Sequence, residues 1–144
     1  MTINLKNFLK DKPKMSKMGE FQQLQEIDGL EISAVSADLY GTGRDDLCLF
    51  YFKDGANYGA VYTNNAICSE SISWNKDIRK KFIKGILVNT KNANTFTGIQ
   101  GQEGLETISK VLAKNLTLKE AQKEDGTKNV VKPNEILFAS TGVI

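Results

Sequence analysis

Histidine is absent from this 144-residue sequence. It is the side chain most often used as a general base near neutral pH, and it is also the commonest metal ligand. Its absence excludes any Ser-His or Cys-His nucleophile built from this chain alone. The sequence therefore predicts no metal site and no cofactor, and any catalytic contribution must come from other groups.

Cysteine is scarce, with Cys48 and Cys68 as the only two. They lie far apart, without the close spacing of metal-binding pairs, and each belongs to an apolar or strand-like run. This placement predicts buried free thiols rather than a disulfide or a catalytic thiol.

Long hydrophobic runs and a dominant sign of charge are also missing. No apolar run approaches the ~20 residues of a membrane-spanning helix, and the N-terminus lacks the apolar centre of a secretory signal. The 19 basic and 17 acidic residues leave a net charge of +2, which gives no electrostatic case for nucleic acid or an anionic membrane. We therefore expect a cytoplasmic protein with no nucleic-acid or membrane partner.

The composition that remains fits one globular domain. Apolar residues make up 40% of the chain and charged residues 25%, which is ordinary for a soluble protein, and the length is that of about one domain. We expect an irregular, lysine-rich leader at residues 1–28 and a folded part at 29–144. The leader fits a solvated segment, with a targeting or partner-binding role as the alternative.

Apolar patterning predicts five strands. Alternation at 30–35 indicates a half-buried strand, and the continuous apolar run at 47–52 indicates a strand buried on both faces. A turn at 53–57 is expected to join the second strand to a hairpin partner at 58–63. The remaining strands are predicted at 84–89 and 135–139.

Helical spacing is clearest at 102–116, where apolar residues recur every three and four positions. Thr117, with Glu120 at the capping-box position, predicts a second short helix. Residues 75–81 carry a capping signal for a further short helix, whereas 67–74 fit either a strand or a helix. Strands and helices mix without regular βαβ alternation, which predicts an α/β fold in the broad sense.

Two turns near the second strand indicate no specific chemistry. The Gly41-x-Gly43 pair is too short for a dinucleotide-binding fingerprint and predicts a flexible turn. Residues 44–46, Arg-Asp-Asp, fit a local ion pair or a solvated turn at the entrance to a strand.

Two polar segments follow predicted strands and are candidates for a site. Residues 89–98 concentrate asparagine and threonine, so a structured turn and a ligand contact both fit. The residues Ser140-Thr141-Gly142 are equally ambiguous alone. They fit a helix N-cap, or a turn in which a threonine hydroxyl and a glycine N–H face a developing oxyanion.

In this order, these segments resemble the ornithine acetyltransferase (bifunctional glutamate N-acetyltransferase) family of arginine biosynthesis. Residues 44–49, Arg-Asp-Asp-Leu-Cys-Leu, look like its Arg-Pro-Asp-Leu-Ala-Leu segment, and residues 59–65 are similar to its Gly-Val-Phe-Thr-Thr-Asn strand end. Residues 89–98 look like its Asn-Ser-Gly-Asn-Ala-Asn-Ala-Cys-Thr-Gly loop, with Thr-Lys in place of Ser-Gly. Residues 140–144 are similar to its Ser-Thr-Gly-Val-Ile-Gly turn, and the likeness spans about 30–144.

The resemblance implies a layered αββα sandwich, incomplete in this chain, with two packed sheets between helices. It implies acetyl transfer from N-acetyl-L-ornithine to L-glutamate, with acetyl-CoA used by some members. Family members cleave themselves before a threonine whose freed amino group and hydroxyl act as base and nucleophile, a mechanism that needs no histidine. The resemblance also implies that Thr141, by its hydroxyl, and Gly142, by its N–H, form the oxyanion hole.

The resemblance thus implies the N-terminal portion of such an enzyme, with the nucleophile and most substrate-binding residues in sequence beyond it. Its partner would be the remainder of the enzyme, in a hetero-oligomer of cleaved chains, and this chain alone would be inactive. Two alternatives stay open. One is a non-catalytic fragment or degenerate homologue acting as a structural or partner-binding domain, and the other is a small-molecule-binding domain that uses residues 89–98.

Overall fold

The computed structural model describes residues 25–78, 80–121 and 129–143. Most of the leader predicted at 1–28 therefore lies outside the described residues. No helix among those described is long and apolar enough to cross a membrane.

Within the described ranges, four strands form one mixed sheet in the order β1-β2-β3-β4. The strands are β1 (Leu30–Val35), β2 (Leu47–Asn57), β3 (Phe82–Asn89) and β4 (Ile136–Ser140). The first three pair antiparallel in sequence order, and β4 joins β3 in parallel. The first, fourth and fifth predicted strands are confirmed to within two residues at each end.

The predicted hairpin between 47–52 and 58–63 is wrong. β2 runs straight through the expected turn, and residues 58–63 form no strand. The glycine of the turn signal, Gly55, lies instead in a bulge where the register between β2 and β3 shifts. Gly55 has a φ of 78°, and a Cβ there would lie 2.0 Å from the Phe82 ring. The bulge therefore needs glycine at this position.

The first helix, α1 (Glu70–Asp77), begins earlier than predicted. Ser69 caps it, because the Ser69 hydroxyl accepts a hydrogen bond from the Ile72 N–H at 3.3 Å. The helix predicted at 75–81 is therefore wrong in position, and the ambiguous segment at 67–74 is helical from Glu70 onward.

The second helix, α2 (Gly98–Ala121), spans both segments that were predicted as separate helices. Thr117 is not an N-cap: its hydroxyl donates to the Ala113 carbonyl oxygen at 2.8 Å within the helix. The same hydroxyl accepts from the Val131 N–H at 2.9 Å. It thereby ties the helix to the segment that leads, through the short 3-10 helix Pro133–Glu135, into β4.

The main hydrophobic core lies between the helices and one face of the sheet. Trp74 of α1 and Phe138 of β4 form a T-shaped pair with ring centroids 5.6 Å apart. Burial of such an aromatic side chain stabilises a fold by roughly 1.5–3 kcal/mol. The buried members of the core are Tyr51, Leu105, Ala113, Leu116, Val131, Ile136 and Phe138.

Helix α1 also occupies backbone groups of β4, the last strand of the sheet. The Asn75 amide nitrogen donates to the Phe138 carbonyl oxygen at 2.8 Å, and the Asn75 amide oxygen accepts from the Phe138 N–H at 3.0 Å. The indole nitrogen of Trp74 donates to the Ile136 carbonyl oxygen at 2.9 Å. Since alternate residues direct their backbone groups to the same edge, α1 covers the edge of β4 that faces away from β3.

The opposite face of the sheet carries an apolar row that crosses all four strands. Its members, here called the outer row, are Ile32, Phe50, Ile86 and Leu137. Ile32 is 42% exposed, Phe50 and Ile86 are half-buried, and Leu137 is buried. The prediction that 47–52 is buried on both faces is therefore wrong, because within that run Tyr51 is buried and the other five residues are half-buried.

Glu31 links the edge strand β1 to β2 and α2 through two ion pairs. Its carboxylate pairs with Lys53 of β2 at 3.0 Å and with Lys119 of α2. The hydrogen bond from Lys119, followed by that from Lys53, holds the pKa of Glu31 below its ordinary value. A carboxyl group whose pKa is lowered by folding stabilises the fold above its unfolded-state pKa. That contribution is lost as the pH falls through the folded-state pKa.

We expect Glu31→Gln to lower the free energy of unfolding at neutral pH by less than about 1 kcal/mol, because the side chain is 36% exposed and solvent screens both pairs. The difference from wild type should shrink to zero as the pH falls through the lowered pKa. Urea unfolding of both proteins over a pH series measures this difference. Glu106→Gln, which removes an exposed pair with Lys110 on α2, is the control. A Glu31→Gln difference that persists at low pH would contradict the assignment.

Candidate functional site

The turn at residues 140–143, which ends β4, lies against the asparagine-rich loop at 89–98, which follows β3. The parallel register between the two strands reaches Asn89 and Ser140 and continues beyond both as backbone hydrogen bonds. The Thr141 N–H donates to the Asn89 carbonyl oxygen at 3.1 Å, and the Ala93 N–H donates to the Val143 carbonyl oxygen at 2.9 Å. The fold therefore brings together the two segments that the sequence singled out.

Gly142 allows the turn and the loop to touch. Its φ is 127°, and a Cβ at this position would lie 1.9 Å from the Lys91 carbonyl oxygen. The N–H of the next residue, Val143, donates to the same oxygen at 2.7 Å. Because any side chain at Gly142 would overlap the loop backbone, only glycine fits this contact.

Asparagine side chains hold the loop from within. The Asn89 amide donates to the Asn92 carbonyl oxygen at 2.9 Å, and the Thr97 hydroxyl donates to the side-chain oxygen of Asn94. The interpretation of this segment as a structured turn is therefore confirmed for Asn89 and Asn94.

Ser140 supports the turn from inside. Its hydroxyl accepts from the Asn94 N–H at 2.9 Å and lies 3.5 Å from the Ser71 hydroxyl. The Asn94 carbonyl oxygen accepts in turn from the Glu70 N–H at 2.8 Å, which joins the first turn of α1 to the loop. No N–H of residues 141–143 donates to the Ser140 hydroxyl, so this serine does not cap those residues.

Thr141 and Gly142 present two neighbouring donors at the surface. Both residues are exposed. Within the described part of the chain, neither the Thr141 hydroxyl nor the Gly142 N–H has a hydrogen-bond partner. The N–H groups of Thr141 and Val143, on either side of the Gly142 N–H, are both bonded to the loop. Two unpartnered donors on a backbone that is fixed on both sides can bind a developing oxyanion.

Asp46 anchors the neighbouring segment, and the sequence prediction missed it. Asp46 is only 1% exposed, and its two carboxylate oxygens accept from the N–H groups of Ala37 and Leu39, each at 2.7 Å. Its carbonyl oxygen accepts from the Thr90 N–H at 2.9 Å. The predicted ion pair or solvated turn at 44–46 is therefore wrong for Asp46. The available signal was an acidic residue between a glycine-rich turn and an apolar strand.

Other candidate groups lie apart from the turn. Cys48 and Cys68 are free, as predicted, but half-buried rather than buried, and burial raises the pKa of the Cys48 thiol. A groove of about 300 Å³ lies beside Tyr58 and Tyr62, and one of about 280 Å³ lies between α1 and α2. Neither groove is lined by residues of the 140–143 turn. The described residues hold no cluster of three or more acidic or cysteine side chains that could bind a metal ion.

Comparison with known proteins identifies relatives of this chain. Residues 31–144 match the model of the ArgJ family. An arginine biosynthesis bifunctional protein ArgJ from Gluconobacter oxydans is 33% identical over 122 residues, which cover 84% of this chain and 26% of the relative. A protein of the same name from Neisseria meningitidis is 30% identical over 125 residues, which cover 85% of this chain and 28% of the relative. The chain thus spans about a quarter of the length of these relatives.

Two solved structures share the fold. The arginine biosynthesis bifunctional protein argJ of Bacillus halodurans superposes with a TM-score of 0.65 at 22% identity, over 81% of this chain and 55% of that chain. The ornithine acetyltransferase of Mycobacterium tuberculosis, complexed with ornithine, superposes with a TM-score of 0.67 at 21% identity, over 81% of this chain and 57% of that chain. The fold class predicted from the sequence is thereby confirmed.

We expect Gly142→Ala to separate the turn from the loop while the rest of the fold persists. A non-glycine residue at such a φ costs roughly 1–3 kcal/mol, which corresponds to about 5- to 150-fold faster local hydrogen exchange. The amides of Ala93 and Val143 report this change. Gly104→Ala in α2, where a Cβ meets nothing within 4 Å, should leave their exchange unchanged. Equal exchange in wild type and Gly142→Ala would contradict the close contact.

Proposed function

The chain belongs to the ArgJ family, and from that premise we propose that it supplies the oxyanion-stabilising part of a glutamate N-acetyltransferase of arginine biosynthesis. The whole enzyme would transfer acetyl from N-acetyl-L-ornithine to L-glutamate. One observation carries this proposal: the Thr141 hydroxyl and the Gly142 N–H are exposed and without partners among the described residues, on a backbone fixed on both sides.

An acyl transfer needs such donors because the carbonyl oxygen of the acetyl group gains negative charge in the tetrahedral intermediate. Donors that are already in position stabilise this charge without reorganisation, and each contributes about 2.7–4 kcal/mol. The bonds from Thr141 to Asn89 and from Val143 to Lys91 fix the peptide planes around Gly142. The Thr141 N–H is occupied in this way, so the hydroxyl of Thr141 is the group left to act with the Gly142 N–H.

The nucleophile in this proposal is a threonine that self-cleavage exposes in sequence outside this chain. Its hydroxyl oxygen attacks the acetyl carbon while its proton passes to the freed amino group, which acts as the base. The C–N bond then breaks, the proton goes to the departing amine of ornithine, and an acetyl ester remains on the threonine. The amine of glutamate then attacks the carbonyl carbon of this ester, the C–O bond to the threonine breaks, and the amine proton returns to the threonine oxygen, which releases N-acetyl-L-glutamate. Acetyl-CoA, as an alternative donor, would form the same ester.

The outer row supports the view that the rest of the enzyme packs on this chain. A sheet face with Ile32 42% exposed and two half-buried neighbours leaves apolar surface in water, which a second layer would bury. In the cleaved enzyme that layer would come from the remainder of the protein, within a hetero-oligomer of cleaved chains. The same surface also favours the second candidate function, a non-catalytic domain that binds a protein partner.

We expect Thr141→Ala in the full-length protein to lower kcat for acetyl transfer by about 10²–10³-fold, with folding and self-cleavage retained. Thr141→Ser keeps the hydroxyl and should retain most activity. Thr107→Ala, which removes an exposed hydroxyl on α2, is the matched control. Steady-state kinetics with N-acetylornithine and glutamate measure all three variants, and unchanged turnover in Thr141→Ala would exclude this role.

The isolated chain should show no acetyl transfer, since it carries donors for the oxyanion but not the proposed nucleophile. The assay uses the purified 144-residue chain and then the same chain mixed with the separately expressed remainder. Activity that appears only in the mixture supports the division of roles. Turnover by the isolated chain refutes it, and a full-length protein without turnover favours the partner-binding alternative.

A further inference from the structure

Lys91 is a strained residue whose backbone contacts the proposed oxyanion hole. Its φ of 78° lies in the left-handed region, which costs a residue with a Cβ roughly 1–3 kcal/mol. Its carbonyl oxygen accepts from the Val143 N–H at 2.7 Å and occupies the space where a Cβ of Gly142 would lie. The conformation of Lys91 therefore decides where the backbone of the turn rests.

The side chain of Lys91 reaches away from the turn to the segment before β2. Its ammonium group donates to the Leu39 carbonyl oxygen and lies 5.5 Å from the centroid of the Tyr40 ring. The Arg44 guanidinium carbon lies 5.0 Å from the same centroid. Lys91 is half-buried, so the ammonium group is engaged within the fold rather than free in solvent.

These contacts close a ring of hydrogen bonds around Asp46. The Leu39 N–H donates to the Asp46 carboxylate at 2.7 Å. The Thr90 N–H, directly before Lys91, donates to the Asp46 carbonyl oxygen at 2.9 Å. The bond from Lys91 to Leu39 completes the ring. A left-handed lysine persists here because contacts on both sides fix it.

We propose that Lys91 is a positioning residue for acetyl transfer: its anchored side chain holds its own backbone left-handed and so aligns the Gly142 N–H with the Thr141 hydroxyl. This inference rests on the proposed function. Lys91 does not act on the substrate itself, because its ammonium group is bonded to Leu39. Its effect should therefore appear in kcat rather than in KM.

Three variants of the full-length protein separate the effect of the Lys91–Leu39 hydrogen bond from that of the left-handed backbone of Lys91. Lys91→Met keeps the Cβ and most of the side-chain length but loses the donor. We expect its kcat to fall about tenfold from misplacement of the turn, with KM within about twofold. Lys91→Arg keeps a charged donor that can bond a carbonyl oxygen and lie over the Tyr40 ring, and should stay within about threefold of the wild-type kcat. Lys91→Gly loses the hydrogen bond to Leu39, but glycine adopts a positive φ without strain. Its kcat should therefore recover to within about threefold of wild type.

The proposal is overturned if Lys91→Met has the wild-type kcat. It is also overturned if kcat falls equally in Lys91→Met and Lys91→Gly, or if Lys91→Met raises KM and leaves kcat unchanged. Hydrogen exchange at the Val143 amide gives a readout independent of activity, and it should be at least about fivefold faster in Lys91→Met than in Lys91→Gly. If the wild-type protein has no acetyltransferase activity, the proposed function fails, and the exchange comparison alone then decides whether Lys91 positions the turn. Should Lys91→Met fail to fold, Lys91→Leu, which also keeps a Cβ and lacks a donor, undergoes the same measurements.

Discussion

The parallel pairing between β3 and β4 is the constraint on which the rest of the site depends. It joins Gly85–Asn89 to Ile136–Ser140, residues about fifty positions apart in the chain, and then continues from strand into loop. A shift of one residue in this register would move Gly142 off the Lys91 carbonyl oxygen and place a side chain in a space that admits none. Packing at the middle of β4 supports this register. There the Trp74–Phe138 contact and the two hydrogen bonds of Asn75 hold the strand against α1.

Helix α1 and the buried carboxylate of Asp46 support the loop from two sides. Ser71 and Glu70, at the start of α1, contact Ser140 and Asn94. Asp46 holds the segment before β2 and the first residue after β3. A carboxylate that is 1% exposed is tolerated only where hydrogen bonds compensate its lost hydration, and its two N–H donors supply them. The loop conformation is therefore specified by polar contacts from elsewhere in the fold and not by its own sequence alone.

The spacing of apolar residues along the chain was sufficient to predict some of the strands and helices. The alternation at 30–35 and the helical spacing at 102–116 matched the observed strand and helix. A buried face explains the helix, whereas β1 has no buried residue and its Ile32 is 42% exposed. The prediction of a hairpin was wrong because Gly55 fits a turn and a bulge equally well. The pairing of β2 with β3 favours the bulge. The prediction of Thr117 as an N-cap was also wrong because of a contact distant in sequence: its hydroxyl accepts from the Val131 N–H, fourteen residues away. For the site, the two polar segments were found, but Asp46 and Lys91 were not recognised, since their roles arise only from contacts between distant segments.

The two donors of the turn, the Thr141 hydroxyl and the Gly142 N–H, and apolar side chains of the outer row are all in contact with water. In water, the Thr141 hydroxyl and the Gly142 N–H are hydrated, so leaving them without protein partners costs little. In the proposed function, the same hydration would weaken them as oxyanion donors, because the high dielectric constant of water screens their interaction with a negative charge. As such donors they would gain strength only when another layer of protein excludes water from the turn. The apolar surface of the outer row provides the driving force to bind such a layer. In the proposed enzyme, a layer that covers both the sheet face and the turn would bury the outer row and activate the turn in the same association step.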